Sequence, residues 1–159
     1  GHAVRFVAPV VLLVFGTGRC SYLKLEWLLR IAIASTFIGH GQAAYWLKPG
    51  FVDLIIGTMD TFLGDDWRLA GQRESFALVM LPWIGRLDFL LAALILIPFK
   101  RLRTVALWMA IWGFVTAVSR VTAFGWERWP DILIRMANGG LPLLLWLEWK
   151  TSSNRPHSL

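Results

Sequence analysis

Five polar side chains lie inside apolar stretches of this chain, and their types could do chemistry: His40, Asp88, Arg120, Arg135 and Asn138. An ionisable residue within a long apolar run is costly, so it needs a partner or a task. Asp88 can serve as counter-ion to Arg120 or Arg135, with His40 and Asn138 completing a hydrogen-bonded network. That would be polar glue holding helices in register. The alternative is a pocket in which two arginines receive an anionic or carbonyl-bearing ligand. Arg86 is two residues from Asp88, so on a helix it faces away and reaches toward water.

No familiar catalytic signature accompanies these residues. The chain has no GxSxG, HExxH or Walker sequence, and Gly39-His40-Gly41 follows no strand that would make it a phosphate loop. His40 alone cannot supply a two-histidine haem site, and His2 and His157 lie outside the apolar stretches. Cys20 is the single cysteine, which excludes an internal disulfide or a CxxC pair. Three histidines without a cysteine cluster speak against structural zinc. No residue is assigned as catalytic or metal-binding, and the balance of signals leans to a non-catalytic protein without deciding it. No cofactor is expected to be covalently bound. A quinone, a lipid or a pigment remains as a non-covalent contact.

The elements that must position the five residues are apolar helices. Hydrophobic residues make up 57% of the 159, and only 16% are charged, against about 25% in a soluble domain. The mean hydropathy is +0.58, and the apolar residues come in runs rather than alternating. This is the pattern of an all-α integral membrane protein, since in lipid each backbone polar group must be satisfied within its own helix. Residues 28–47 supply a first span, holding His40 and Gln42, and Lys48-Pro49-Gly50 stops it. Residues 51–59 are too short to cross and read as an amphipathic or re-entrant piece, followed by a polar loop over 60–74. The second span is 76–99 and the third 104–123, with a basic turn, Lys100-Arg101-Leu102-Arg103, between them. The fourth is 132–149, interrupted at Asn138-Gly139-Gly140-Leu141-Pro142. Residues 4–16 are apolar but short. The expected fold is a four-transmembrane-helix bundle (28–149) with an additional short N-terminal apolar segment (1–27) and a mobile polar tail (150–159).

Charge and aromatic placement fit that plan. The net charge of +6 comes from basic residues between the apolar runs, which argues for topology signals rather than nucleic-acid binding. Arg19, Lys24 and Arg30 outnumber Glu26 before and at the start of the first span. Five acids (Asp53, Asp60, Asp65, Asp66 and Glu74) outnumber Lys48, Arg68 and Arg73 after it. The basic turn after the second span, the acidic turn with Glu127 and Asp131, and the basic tail continue the alternation. The bundle's termini are therefore expected in the cytoplasm. Trp27, Trp108, Trp146 and Trp149 then fall near the inner boundary and Trp46, Trp83, Trp126 and Trp129 near the outer one, as an interfacial belt would. A small or polar stripe marks each inner face: Ala32, Thr36, His40 and Ala43; Gly85, Asp88 and Ala92; Gly113, Thr116, Ala117 and Arg120; Arg135, Asn138, Gly139 and Pro142.

The segments LLRIAIASTFIGHG, LPWIGRLDFLLAALIL, LWMAIWGFVTAVSR and IRMANGGLPLLL together resemble the DoxX-like group of small bacterial four-span proteins. The most specific pieces are IGHG, the G-x-x-D of Gly85 and Asp88, and the N-G-G-x-P of the fourth span. The resemblance covers residues 28–145 and implies a multi-pass protein of the bacterial inner membrane. Members of that group have been linked to quinol oxidation and thiol redox complexes. Cys20 alone does not support carrying over dithiol chemistry, and residues 4–16 depart from a plain four-span plan. Two functions are therefore expected to compete. One is a non-catalytic accessory subunit of a respiratory or photosynthetic electron-transport complex, in contact with lipids and other membrane subunits. The other is a quinone- or small-anion-binding enzyme or transporter using the polar cluster.

Overall fold

The computed structural model describes residues 3–17, 22–64, 66–67, 69–97, 99 and 102–153. Expectations for His2, Cys20, His157, Lys100-Arg101 and residues 154–159 lie outside them. The described residues form helices and connecting turns, with no strand among them. Four helices are long: α2 (Tyr22–Tyr45), α4 (Ala70–Leu96), α5 (Arg103–Phe124) and α6 (Trp129–Ser153). At 1.5 Å per residue each runs about 33–40 Å. Two are short: α1 (Ala3–Thr17) and α3 (Pro49–Leu63), about 22 Å each.

The helices pair as α5 with α6 and α2 with α4, with α1 against α2 and α6 and α3 against α5 and α4. Glycine sets the closest approaches. A Cβ on Gly41 would lie 2.9 Å from the Gly85 carbonyl oxygen, and one on Gly85 would lie 2.7 Å from that of Gly41. Gly113 meets the Asn138 carbonyl of α6 in the same way, and Gly57 of α3 meets Ala123 of α5. Hydroxyls reinforce the last contact: Thr58 Oγ1 and Thr122 Oγ1 are 3.2 Å apart, and Thr61 donates to the Thr122 carbonyl. Small residues let backbones approach, and hydroxyls then bond across the gap.

The N-terminal segment is not a surface strip. Val4 and Val11 are fully buried in the core, and the Val4 N–H, a helix-start donor with no intrahelical acceptor, donates to Thr36 Oγ1 at 3.1 Å. α2 ends where Lys48-Pro49-Gly50 was expected to stop it. Leu47 takes a left-handed conformation (φ 52°), and the Lys48 N–H returns to the Ala43 carbonyl at 3.1 Å, closing the helix end. Pro49 then begins α3, since its missing N–H costs nothing in a first turn.

Three expectations need correction. The polar loop over 60–74 is largely helical, because α3 continues to Leu63 and α4 starts at Ala70. The fourth span is not interrupted: α6 passes through Asn138 to Pro142 as one helix. Pro142 removes only the donor to the Asn138 carbonyl, and Gly139 serves packing, against Phe114 and the Ala110 carbonyl. Trp149 is not a belt residue, being fully buried with its indole N–H donating to Glu26 at 2.9 Å. Trp46, Trp83, Trp126 and Trp129 are exposed as expected.

Among the described residues, two helices, Gly71–Leu96 and Arg103–Phe124, are long and apolar enough to cross a membrane, and 33% and 28% of their most apolar stretches is buried. Large apolar side chains stand exposed on both helices, among them Val79, Trp83 and Leu90 on α4 and Trp108, Ile111 and Val118 on α5. α2 and α6 are as long but less apolar: α2 carries Lys24, Glu26, Arg30, His40 and Gln42, and α6 carries Asp131, Arg135, Asn138, Glu148 and Lys150.

In the last turn of α3, Asp60 clasps the connection to α4. Its Oδ1 accepts from Trp67 Nε1 at 2.7 Å and from Arg73 Nη1 at 3.0 Å. The Trp67 N–H foremost, with Arg73, holds this carboxyl below the usual carboxylate range. A depressed acid contributes stability that is complete above its ordinary value, about pH 4, and that fades as pH falls through the lowered value. The Trp67 indole N–H resonance should therefore hold its position from pH 7 to about 4 and move only in stronger acid. Movement between pH 7 and 5 would contradict the clasp.

Candidate functional site

His40, Asp88, Arg120 and Arg135 line one cavity of about 200 Å³. Each arrives from a different helix. His40 comes from α2 one residue before the Gly41–Gly85 crossing, and Asp88 from α4 one turn after it. Arg120 and Arg135 stand near the ends of α5 and α6 that the Trp126–Arg128 3-10 turn joins. The glycine pieces of the sequence thus set the helix spacing, and the polar residues beside them face the space created. Asn138 is the exception. It is buried at the α5–α6 crossing, away from the cavity, with both side-chain polar atoms lacking a protein partner.

The expected ion pairs of Asp88 do not form. Arg135 is committed to Asp131 one turn away, Nη1 to Oδ1 at 2.9 Å and to the Asp131 carbonyl at 3.2 Å. Arg135 holds the Asp131 carboxyl below the usual range. Arg120 makes no ion pair among the described residues. Its Nε is enclosed without an acceptor, and its guanidinium carbon lies 5.9 Å from the Phe51 ring centroid and 6.0 Å from that of Phe124. Asp88 lines the cavity with Trp112, and its Oδ1 is buried without a partner. Asp88 and Arg120 thus line the same cavity without forming an ion pair. Arg86 is exposed over the Trp83 ring at 4.6 Å, as expected of a residue facing away.

Residues 51–59, read as an amphipathic or re-entrant piece, belong to α3, and their place on the cavity wall was not foreseen. Phe51, Leu54, Ile55, Thr58 and Met59 line the cavity, and Phe51 meets the His40 ring edge-on at 6.4 Å. Their spacing of three and four is the signal that was there to be read. α3 closes the cavity side that four helices alone would leave open.

The missing ion pair changes what a substitution at Asp88 does. Removing one member of a buried pair costs about 3–5 kcal/mol, but Asp88 has no cation to abandon. Asp88→Asn, which keeps the shape and a hydrogen-bonding group, should melt within about 1 kcal/mol of the parent. A loss of the full pair cost would mean that a cation reaches Asp88 after all.

The cavity walls are mostly aliphatic and aromatic, with cationic and acidic groups at separate places. Such a site can hold a small apolar molecule by its body and orient it by a polar end. Among the described residues, no group of three or more metal-ligating side chains occurs. No protein-family model, curated protein or solved structure matches the chain.

Proposed function

We propose that the protein is a membrane-embedded binder of a small, mostly apolar molecule. The observation that carries this reading is the convergence of His40, Asp88, Arg120 and Arg135 on a cavity in which Asp88 and Arg120 lack ionic partners. A cluster serving as glue would be expected to satisfy its own members. The outward apolar surface of α4 and α5 supports a bilayer setting. In that setting α2 and α6 complete a four-span bundle, with their charged residues toward the ends or turned inward. The alternating loop charges put the bundle's termini in the cytoplasm and the cavity toward the outer leaflet, as in the DoxX-like inner-membrane proteins that the motifs resemble. A membrane-soluble quinone and a small anion are the two ligand classes, and a protein that holds a quinone suits an accessory place in an electron-transport complex.

Native purification in a mild detergent, followed by identification of every small molecule and polypeptide that travels with the chain, tests both parts. One small molecule per chain is expected, lost when Ile55→Trp fills the cavity of a protein that still folds. The same extract from parent and variant would end the binding reading. Purification as a lone polypeptide, under conditions that keep electron-transport complexes intact, would end the accessory one.

A further inference from the structure

The charge around Arg120 discriminates between the two ligand classes. Among the described residues, the charges that act on Arg120 are those of Arg135, Arg5 and Arg128 and of one acid, Asp131. Asp131 is already bonded to Arg135, so the neighbourhood keeps an excess of positive charge. The other acid of the cavity, Asp88, forms no ion pair with Arg120. Arg120 is also held in place, flanked by Phe51 and Phe124 with its Nε enclosed and unpartnered. A neutral carbonyl would leave this cation uncompensated in an apolar surround, whereas an anion would neutralise it.

Shape narrows the anion. The guanidinium fork matches a planar carboxylate through two parallel hydrogen bonds. The cavity, about 200 Å³, is below the roughly 300–1,000 Å³ of pockets for drug-sized molecules. Leu54, Ile55, Leu81, Ile84 and Val115 offer only apolar contact to the rest of the ligand. We infer that the cavity takes a small amphiphilic carboxylic acid, with its carboxylate on Arg120 and its hydrocarbon body between α3, α4 and α5. This rests on the binding reading above and names its ligand class. The acid has two sources, a short fatty acid released from lipid or a small aromatic acid, and both present the same head to Arg120.

The test uses the full chain in nanodiscs of zwitterionic lipid, with empty nanodiscs subtracted. The probes are octanoate, benzoate, methyl octanoate and a short-tailed benzoquinone. Saturable binding of octanoate or benzoate is expected, and whichever binds more tightly identifies the source. Methyl octanoate should bind at least tenfold more weakly than octanoate. Arg120→Gln should weaken carboxylate binding at least tenfold, while Arg86→Gln, on the exposed face, leaves it unchanged. The acid-against-ester comparison is made on the parent protein, so it decides the question even if Arg120→Gln fails to fold. Equal binding of acid and ester, or binding of the quinone alone, overturns the carboxylate assignment and leaves the binding reading standing. No saturable binding of any probe overturns both.

Discussion

Glu26→Ala is expected to destabilise the protein by about 3–5 kcal/mol, the usual cost of breaking a buried ion pair from one side. Glu26 Oε1 receives Arg30 Nη2 at 3.2 Å and Trp149 Nε1 at 2.9 Å. Arg30 is 1% exposed, although it is one of the longest charged side chains in the protein. Its guanidinium carbon lies 5.0 Å from the Trp27 ring centroid and 4.9 Å from that of Trp149, so two indole faces share its charge. Deleting the carboxylate leaves this cation buried with only aromatic faces around it. It also removes an acceptor of the fully buried Trp149 that ties α6 to α2. The loss would be a large part of the roughly 5–15 kcal/mol that holds a domain folded. Glu26→Ala with Arg30→Met should recover most of it, because the second change removes the stranded charge. Thermal or denaturant melts in one detergent would measure both. A single variant within 1 kcal/mol of the parent would mean that Arg30 finds water or another anion.

That cluster also shows where sequence reading reached and where it stopped. Glu26 and Arg30 are four apart, so their pairing on a helix was legible. Their burial was not, because it depends on Trp149 arriving from α6, more than a hundred residues later, and periodicity says nothing about which helices become neighbours. Arg30 had been read as a topology charge and Trp149 as a belt residue, both sound by composition and both overridden by packing. The inner-face stripes fared better. Ala32, Thr36, Gly85, Asp88, Ala92, Gly113 and Ala117 are all buried, since small residues at helical spacing leave few alternatives to close approach. The cavity was half legible for a related reason. His40, Asp88, Arg120 and Arg135 announce themselves by being costly in apolar runs, whereas α3 uses ordinary aliphatic residues that carry no such mark. The expected Asp88 pairing failed although Asp88, Arg120 and Arg135 all line one cavity: shared faces can be read from sequence, but not that Asp131 takes Arg135. The Asn138 to Pro142 break failed because glycine and proline were read as breakers, where here they serve a helix crossing.

That crossing carries the other large effect. Gly113→Ala should cost about 2–3 kcal/mol or more, at the upper end for overpacking a closed contact. The added Cβ would sit 2.5 Å from the Asn138 carbonyl oxygen, 2.6 Å from its carbonyl carbon and 2.7 Å from the Gly139 nitrogen. All three are backbone atoms, so no rotamer change relieves them and α5 and α6 must part. The Asn138 carbonyl is one that Pro142 leaves without its helical donor, which is why it is free to face Gly113. Gly140→Ala is the matched control, since a Cβ there meets nothing within 4 Å. It should be neutral or gain up to about 1 kcal/mol from helix propensity. The functional consequence follows from position: Arg135 stands one turn before Asn138 on α6, so parting the helices moves it relative to Arg120 on α5. Gly113→Ala should therefore weaken octanoate binding even in the fraction that remains folded, and Gly140→Ala should leave it intact. Equal melting of the two variants would show that α5 and α6 do not meet backbone to backbone at Gly113.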